Sequence, residues 1–182
     1  MKERYFSTFN LILLALFAAL IVVAKITLRL PIGLSGRSGV FWMAIIIVAA
    51  GVVPKRGAAT IVGITSGILA AFLGMGDWGA LNTFLAYAAI GVGTDLALLI
   101  LGGNPSHLMV AVLTGVIGHL AKFLVKWVFG VISGAPVGVI LLGTSKALIT
   151  YIIFGALGGL LGGLTLRALK RAGFFAYLAE KR

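Results

Sequence analysis

Polar side chains along this chain fall in short clusters that separate six apolar stretches: Phe9–Ile26, Val40–Val53, Ala58–Leu73, Leu81–Leu101, Leu108–Ile132 and a last one ending near Leu166. A helix needs about 20 mainly apolar residues to cross the hydrocarbon of a bilayer, so the pattern predicts six transmembrane helices. The breakers fall between them: Pro31 and Gly33, Pro54 and Gly57, Gly74 to Gly79, Gly102-Gly103-Asn104-Pro105, and Ser133-Gly134-Ala135-Pro136. The second and third stretches are short, roughly 21–24 Å as helices against a core of about 30 Å. They must borrow flanking residues or be partly buried in protein. The expected fold is an all-α integral membrane protein, a compact six-helix bundle forming a single domain over residues 1–182.

Composition agrees with the pattern. The chain has 182 residues, 61% hydrophobic and 10% charged, with a mean hydropathy of +1.18. That leaves no room for a separate soluble domain. The opening Met1-Lys2-Glu3-Arg4 and its apolar run resemble a signal peptide, but no small-residue cleavage site precedes a polar region, so the first span is expected to be retained. With no cysteine, disulfides and thiolate chemistry are excluded.

A net charge of +11 would suit a nucleic-acid binder if it formed a surface patch, yet the basic residues lie mostly at the ends of apolar segments. That is a topology signal, and no nucleic-acid partner is expected. Lys2, Arg4, Lys55, Arg56, Arg167, Lys170, Arg171, Lys181 and Arg182 share one face, against Arg29, Arg37 and Lys25 on the other. The positive-inside bias then places both termini in the cytoplasm. The expected location is a prokaryotic plasma membrane, crossed several times. Gly63/Gly67, Gly130/Gly134, Gly155/Gly159, Gly158/Gly162 and Gly159/Gly163 each repeat the four-residue spacing that lets membrane helices approach closely.

Ionisable groups inside spans are costly and point to function by default. Here they are Asp95, His119, Lys122, Lys126 and Lys146. His119, Lys122 and Lys126 follow at i, i+3 and i+7, one face of the fifth helix. That helix enters from the cytoplasm near Leu108, which puts Lys122 roughly 21 Å and Lys126 roughly 27 Å toward the outer surface. Lys146 and Asn82, Thr83 and Tyr87 belong to the same outer half, with Trp127, Thr150 and Tyr151. A pocket opening outward for an anion or a polar ring system would gather such groups. Alternatively Lys126 and Lys146 snorkel to headgroups and Trp127 joins an aromatic belt. The loop RLPIGLSGRSGVFW, residues 29–42, carries Arg29, Arg37 and Trp42, and is either a lid over the ligand or an ordinary surface loop.

Asp95 follows Gly91-Val92-Gly93-Thr94, close to the glycine-x-glycine-aspartate signature of intramembrane aspartyl proteases but with one residue inserted. Proteolysis also needs a second acid to share a proton. Asp77 falls in an outer turn and both glutamates are terminal, so none is available. His119 is then the expected partner of Asp95, in a structural buried pair. No metal-ligand spacing, Walker loop or G-x-S-x-G turn occurs, so no metal, cofactor or catalytic residue is expected.

The six spans, the basic C-terminal tail, the long first outer loop, the outer polar cluster and the segment ALFAA, with Ala15 and Ala19 spaced as alanine-x-x-x-alanine, together resemble the substrate-binding S components of energy-coupling-factor (ECF) importers. The resemblance covers nearly the whole chain. It implies a non-enzymatic subunit that captures a vitamin-like small molecule and docks, through Ala15 and Ala19, on a transmembrane coupling protein driven by two ATPase subunits. The residues that would hold the substrate are Arg37, Trp42, Asn82, Tyr87, Lys122, Lys126, Lys146 and Thr150. Two other classes stay open: a small membrane enzyme acting on a lipid-linked or phosphorylated substrate, and a structural subunit of a membrane complex. Ala15 and Ala19 have a plain alternative too, as helix packing positions.

Overall fold

A computed structural model describes residues 6–28, 34–76, 79–134 and 137–176, with the side chains of 137–142 outside that description. Lys2, Arg4, Arg29, Asp77, Lys181 and Arg182 also lie outside the described residues. Six helices follow in order: α1 Thr8–Thr27, α2 Gly39–Val52, α3 Ala58–Phe72, α4 Gly79–Ile100, α5 Leu108–Ile132 and α6 Val137–Arg171. The apolar stretches anticipate them to within two residues, except that α6 continues five residues past Leu166. Four helices, α1, α4, α5 and most of α6, are long and apolar enough to cross a membrane, whereas α2 and α3 are apolar but shorter.

The shortness of α2 has a packing explanation. It touches each of the other five helices, and ten of its fourteen residues are buried. A helix with apolar residues all round is stable when protein surrounds it, and a helix enclosed in this way need not match the bilayer thickness. Trp42, Met43, Ile46, Ile47 and Val52 make it the axis of the core.

Glycines set the spacing around that axis. On α6, a Cβ at Gly155 or Gly159 would strike the backbone of α5 at Gly115 and Ala111, whereas one at Gly158 or Gly162 would strike α2 at Val40 and Ala44. Two glycine stripes let α6 lie against α5 and α2 at once. Gly63 and Gly67 do the same for α3 against α4 at Tyr87, Gly91 and Phe84. The Gly130/Gly134 pair does not: neither has a neighbour within 4 Å of an added Cβ. Its spacing is that of a packing motif, but its face meets no helix among the described residues.

Contacts between segments fix which ends lie together. Lys55 Nζ sits 5.8 Å from the Phe6 ring centroid, Gly51 lies against Leu166, and Arg167 Nε donates to the Ser106 carbonyl at 3.0 Å. The start of α1, the α2–α3 and α4–α5 turns and the end of α6 therefore share one end, called basal here. It carries Lys55, Arg56, Arg167, Lys170 and Arg171. At this end Gly103 N–H closes α4 on the Leu98 carbonyl at 2.6 Å, with Gly102 and Gly103 both at positive φ. Such a left-handed exit costs glycine nothing sterically.

Candidate functional site

The opposite end holds a buried cluster of rings and cations. Trp42 projects from α2 and is 1% exposed, and Lys122, on α5, is 7% exposed. The Lys122 ammonium lies 4.2 Å from the Trp42 ring centroid and 5.0 Å from that of Tyr87 on α4. Trp42 meets the His119 ring edge-on at 4.9 Å, and His119 meets Tyr151 of α6 at 4.3 Å. His119 Nδ1 is 2.8 Å from the Tyr151 carbonyl. A carbonyl only accepts, so Nδ1 carries the proton in this bond.

A second cation reaches the same place from α1. Lys25 Nζ sits 5.3 Å from the Tyr87 ring centroid and donates to the Met75 carbonyl at 2.5 Å. Rings with ammonium groups against them are held by the attraction of a positive charge to the ring quadrupole, which strengthens where water is excluded.

Several buried polar atoms here have no hydrogen-bond partner: both amide atoms of Asn82, Tyr87 Oη and His119 Nε2. Buried polar groups are nearly always bonded, so a group of orphans in one region asks for an explanation, and a ligand is one. Antiparallel packing relates their levels. Gly118 lies against the Ile90 carbonyl and Lys122 against Tyr87, and one turn further out this register sets Asn82 and Thr83 level with Lys126.

Of the residues expected from the sequence to bind substrate, the structure brings Trp42, Tyr87 and Lys122 into contact and buries Asn82 at the same end. Trp42 belongs to α2, not to the first loop, and its Nε1 donates to Ser38 Oγ at 3.4 Å. Arg37 and Lys126 are half-buried, in the turn before α2 and one turn beyond Lys122 respectively. Thr150 is buried beside Tyr151, its hydroxyl donating to the Ala147 carbonyl within α6. Lys146 is exposed on α6, outside the buried cluster. Ala15 and Ala19 are both exposed on α1, so they do not serve packing within the bundle.

The expected Asp95–His119 pair is a correction. Asp95 accepts from Thr60 N–H at 2.7 Å, Thr60 Oγ1 at 2.6 Å and Ala59 N–H at 3.3 Å, while His119 serves Tyr151. The physical reason lies at the start of α3. Its first N–H groups have no partner within the helix, and its cap position is Gly57, which offers no side chain. Asp95 caps the helix from α4, and a carboxylate is also favoured at the positive end of a helix dipole. Asp95 is a structural tie, as expected, but to a different element. His119 joins the ring cluster.

Lys25 joins the ring cluster, although the charge pattern along the sequence marks it only as a topology signal. Its place inside the first apolar stretch, one residue before the end, was the available clue. At the basal end a cleft of about 360 Å³ opens between the two turns, lined by Pro54, Lys55, Arg56, Asp95, Leu99 and Gly102 among others. It is remote from the ring cluster, and its acid is already committed to α3.

Neither protein-family models nor curated protein sequences give a match. The solved structures do: the chain resembles the crystal structure of an S-component of an ECF transporter, with a TM-score of 0.63 and 21% identity, over 98% of this chain and 95% of that one. The fold of the S component is therefore the fold of this chain. The described residues of this chain form helices joined by turns, with no strand among them.

Proposed function

We propose that this chain is a non-enzymatic, membrane-embedded binding subunit of an ECF-type importer, taking a vitamin-like small molecule from the outer face. The observation that carries the reading is the shared fold over 98% of the chain. The buried cluster of Lys122, Lys25, Trp42, Tyr87 and His119 supports it, because binding sites for small molecules combine an apolar enclosure with a few convergent polar groups. The six helices span a prokaryotic plasma membrane, with the basal end and its five described basic residues in the cytoplasm by the positive-inside rule. Ala15 and Ala19, exposed on α1, would face the transmembrane coupling protein, which in turn works with two ATPase subunits. In this reading Lys122 pairs with the ligand's charge, Asn82 and Tyr87 supply hydrogen bonds, Lys126 and Arg37 border the entrance, Thr150 borders the Tyr151 wall, and Lys146 contributes only at the outer rim.

The test is native mass spectrometry of the detergent-purified protein, as isolated and after incubation with a vitamin panel. A bound vitamin-like molecule is expected, and Lys122→Ala should weaken its binding at least about tenfold, the loss typical of a charge-assisted contact. The variant should still elute as a monodisperse species, because it removes a buried charge and leaves Trp42 and Tyr87 in place. A retained lipid-linked phosphate that is turned over without partners would instead favour the membrane enzyme. A protein that stays empty throughout would favour the structural subunit.

A further inference from the structure

Three buried side chains at the outer end limit which ligands fit, an inference that rests on the binding-subunit reading. Asn82, Tyr87 and His119 are all buried, and among the described residues Asn82 Nδ2 and Oδ1, Tyr87 Oη and His119 Nε2 have no hydrogen-bond partner. A polar atom left unmet in the interior bears its full desolvation cost. A ligand that meets these atoms removes that cost, so the polarity of each atom specifies the group it needs.

His119 Nδ1 donates to the Tyr151 carbonyl, so in the neutral ring Nε2 only accepts. The rings of Trp42 and Tyr151 flank the imidazole, with centroids at 4.9 and 4.3 Å. A Cβ at Gly39 would come within 2.6 Å of Nε2, so glycine at that position leaves the atom uncovered. A buried water there would need two or more polar partners, and ring faces are poor ones. Asn82 presents a donor and an acceptor side by side, whichever way its amide is turned. The Tyr87 hydroxyl can donate or accept and so discriminates little. The register of α4 against α5 sets Asn82 level with Lys126, seven residues beyond His119, roughly 10 Å along the helix axis. With a hydrogen bond of about 2.9 Å at each end, the ligand's own polar groups stand at least about 4 Å apart. That separation takes a ring, not a single amide.

We infer that the ligand is a flat nitrogen heterocycle with an amide-like edge, a ring carbonyl beside an N–H, that pairs with Asn82, and with an N–H or O–H on its opposite side that donates to His119 Nε2. The aromatic walls suit a flat ring, and the two contacts require no particular charge on it.

Three probes separate the two contacts on the full chain in detergent, by dissociation constant and by thermal midpoint. Hypoxanthine carries the amide-like edge and, across its bicyclic ring, an imidazole N–H. Purine lacks the edge and keeps that N–H, whereas quinazolin-4-one keeps the edge and lacks the N–H. Hypoxanthine should bind about tenfold or more tighter than either, because a site built to hydrogen-bond a group rejects the analogue without it. Asn82→Leu should reduce the preference over purine to within about twofold and keep the preference over quinazolin-4-one, and His119→Phe should do the reverse. A packing role alone would weaken all three probes alike. The comparison within the unaltered protein stands even if a variant folds poorly. If purine and quinazolin-4-one bind as tightly as hypoxanthine, or the molecule found by native mass spectrometry has no amide-like edge, the inference is overturned and the binding-subunit reading stays in place. If hypoxanthine does not bind, the two variants are read on that molecule: a loss of about tenfold in each is expected, and unchanged affinity overturns the inference. If no probe binds and no molecule co-purifies or is taken up from the vitamin panel, both are overturned.

Discussion

Gly159→Ala is expected to lower the stability of the bundle by at least about 2 kcal/mol, while Gly130→Ala should leave it unchanged or raise it by up to about 1 kcal/mol. Both glycines lie within helices and both belong to a four-residue glycine spacing, so the sequence alone assigns them the same role. The surroundings differ. A Cβ at Gly159 would come within 2.3 Å of the Ala111 carbonyl oxygen and 2.8 Å of Val112 Cα. These are backbone atoms that no rotamer change can move aside, so α5 and α6 must separate. That separation opens the interface which holds His119 against Tyr151, so the cost spreads to the ring cluster. At Gly130 the added methyl meets nothing within 4 Å, and only the helix-forming advantage of alanine over glycine is left. Thermal unfolding in detergent, with the monodisperse fraction on gel filtration, checks both. Equal losses for the two variants would show that α5 packs through Gly130 as well.

Asp95→Ala should cost about 3 kcal/mol, and Asp95→Asn about 1 kcal/mol. The alanine variant leaves the Ala59 and Thr60 N–H groups and the Thr60 hydroxyl without their acceptor at a helix start that has only Gly57 as its cap residue. Asparagine keeps one acceptor oxygen and loses the charge that favours the positive end of the helix. Asp95 lies eight residues along α4 from Tyr87, roughly 12 Å, so the folded fraction of either variant should bind ligand with unchanged affinity. The measurement is the unfolding midpoint together with the dissociation constant of the molecule found by native mass spectrometry. A full loss of binding in a well-folded Asp95→Asn protein would make the acid part of the site.

The two predictions also mark where sequence reading succeeds and where it stops. The ends of α5 follow directly from Leu108–Ile132, and those of α3 to within one residue, because glycine and proline interrupt the apolar runs for local reasons that need no partner. The burial of Lys122 and His119 follows from their i, i+3 spacing in an otherwise apolar helix. The partner of His119 does not. Asp95 and His119 are the conspicuous polar groups in adjacent apolar stretches, so the sequence alone points to pairing them. The needs of the α3 N-terminus and of the Tyr151 carbonyl become visible only when helices distant in sequence are placed side by side.

The sequence by itself determined that this is an all-helical membrane protein with six apolar helices, that the basic residues of two short turns and the C-terminal tail belong to one end, and that lysines within the spans belong with aromatic residues to the other. These are properties of composition and local period, set residue by residue by the cost of placing charge and free backbone groups in hydrocarbon. The tertiary structure decided which glycines are contacts, that Asp95 caps α3, that α2 is the axis, and that Lys25 joins Lys122 beside Tyr87. Each depends on the register and rotation of one helix against another. Those are fixed by side-chain fit across interfaces, and in a chain whose helices are apolar on every side the hydrophobic pattern does not point to the facing residues.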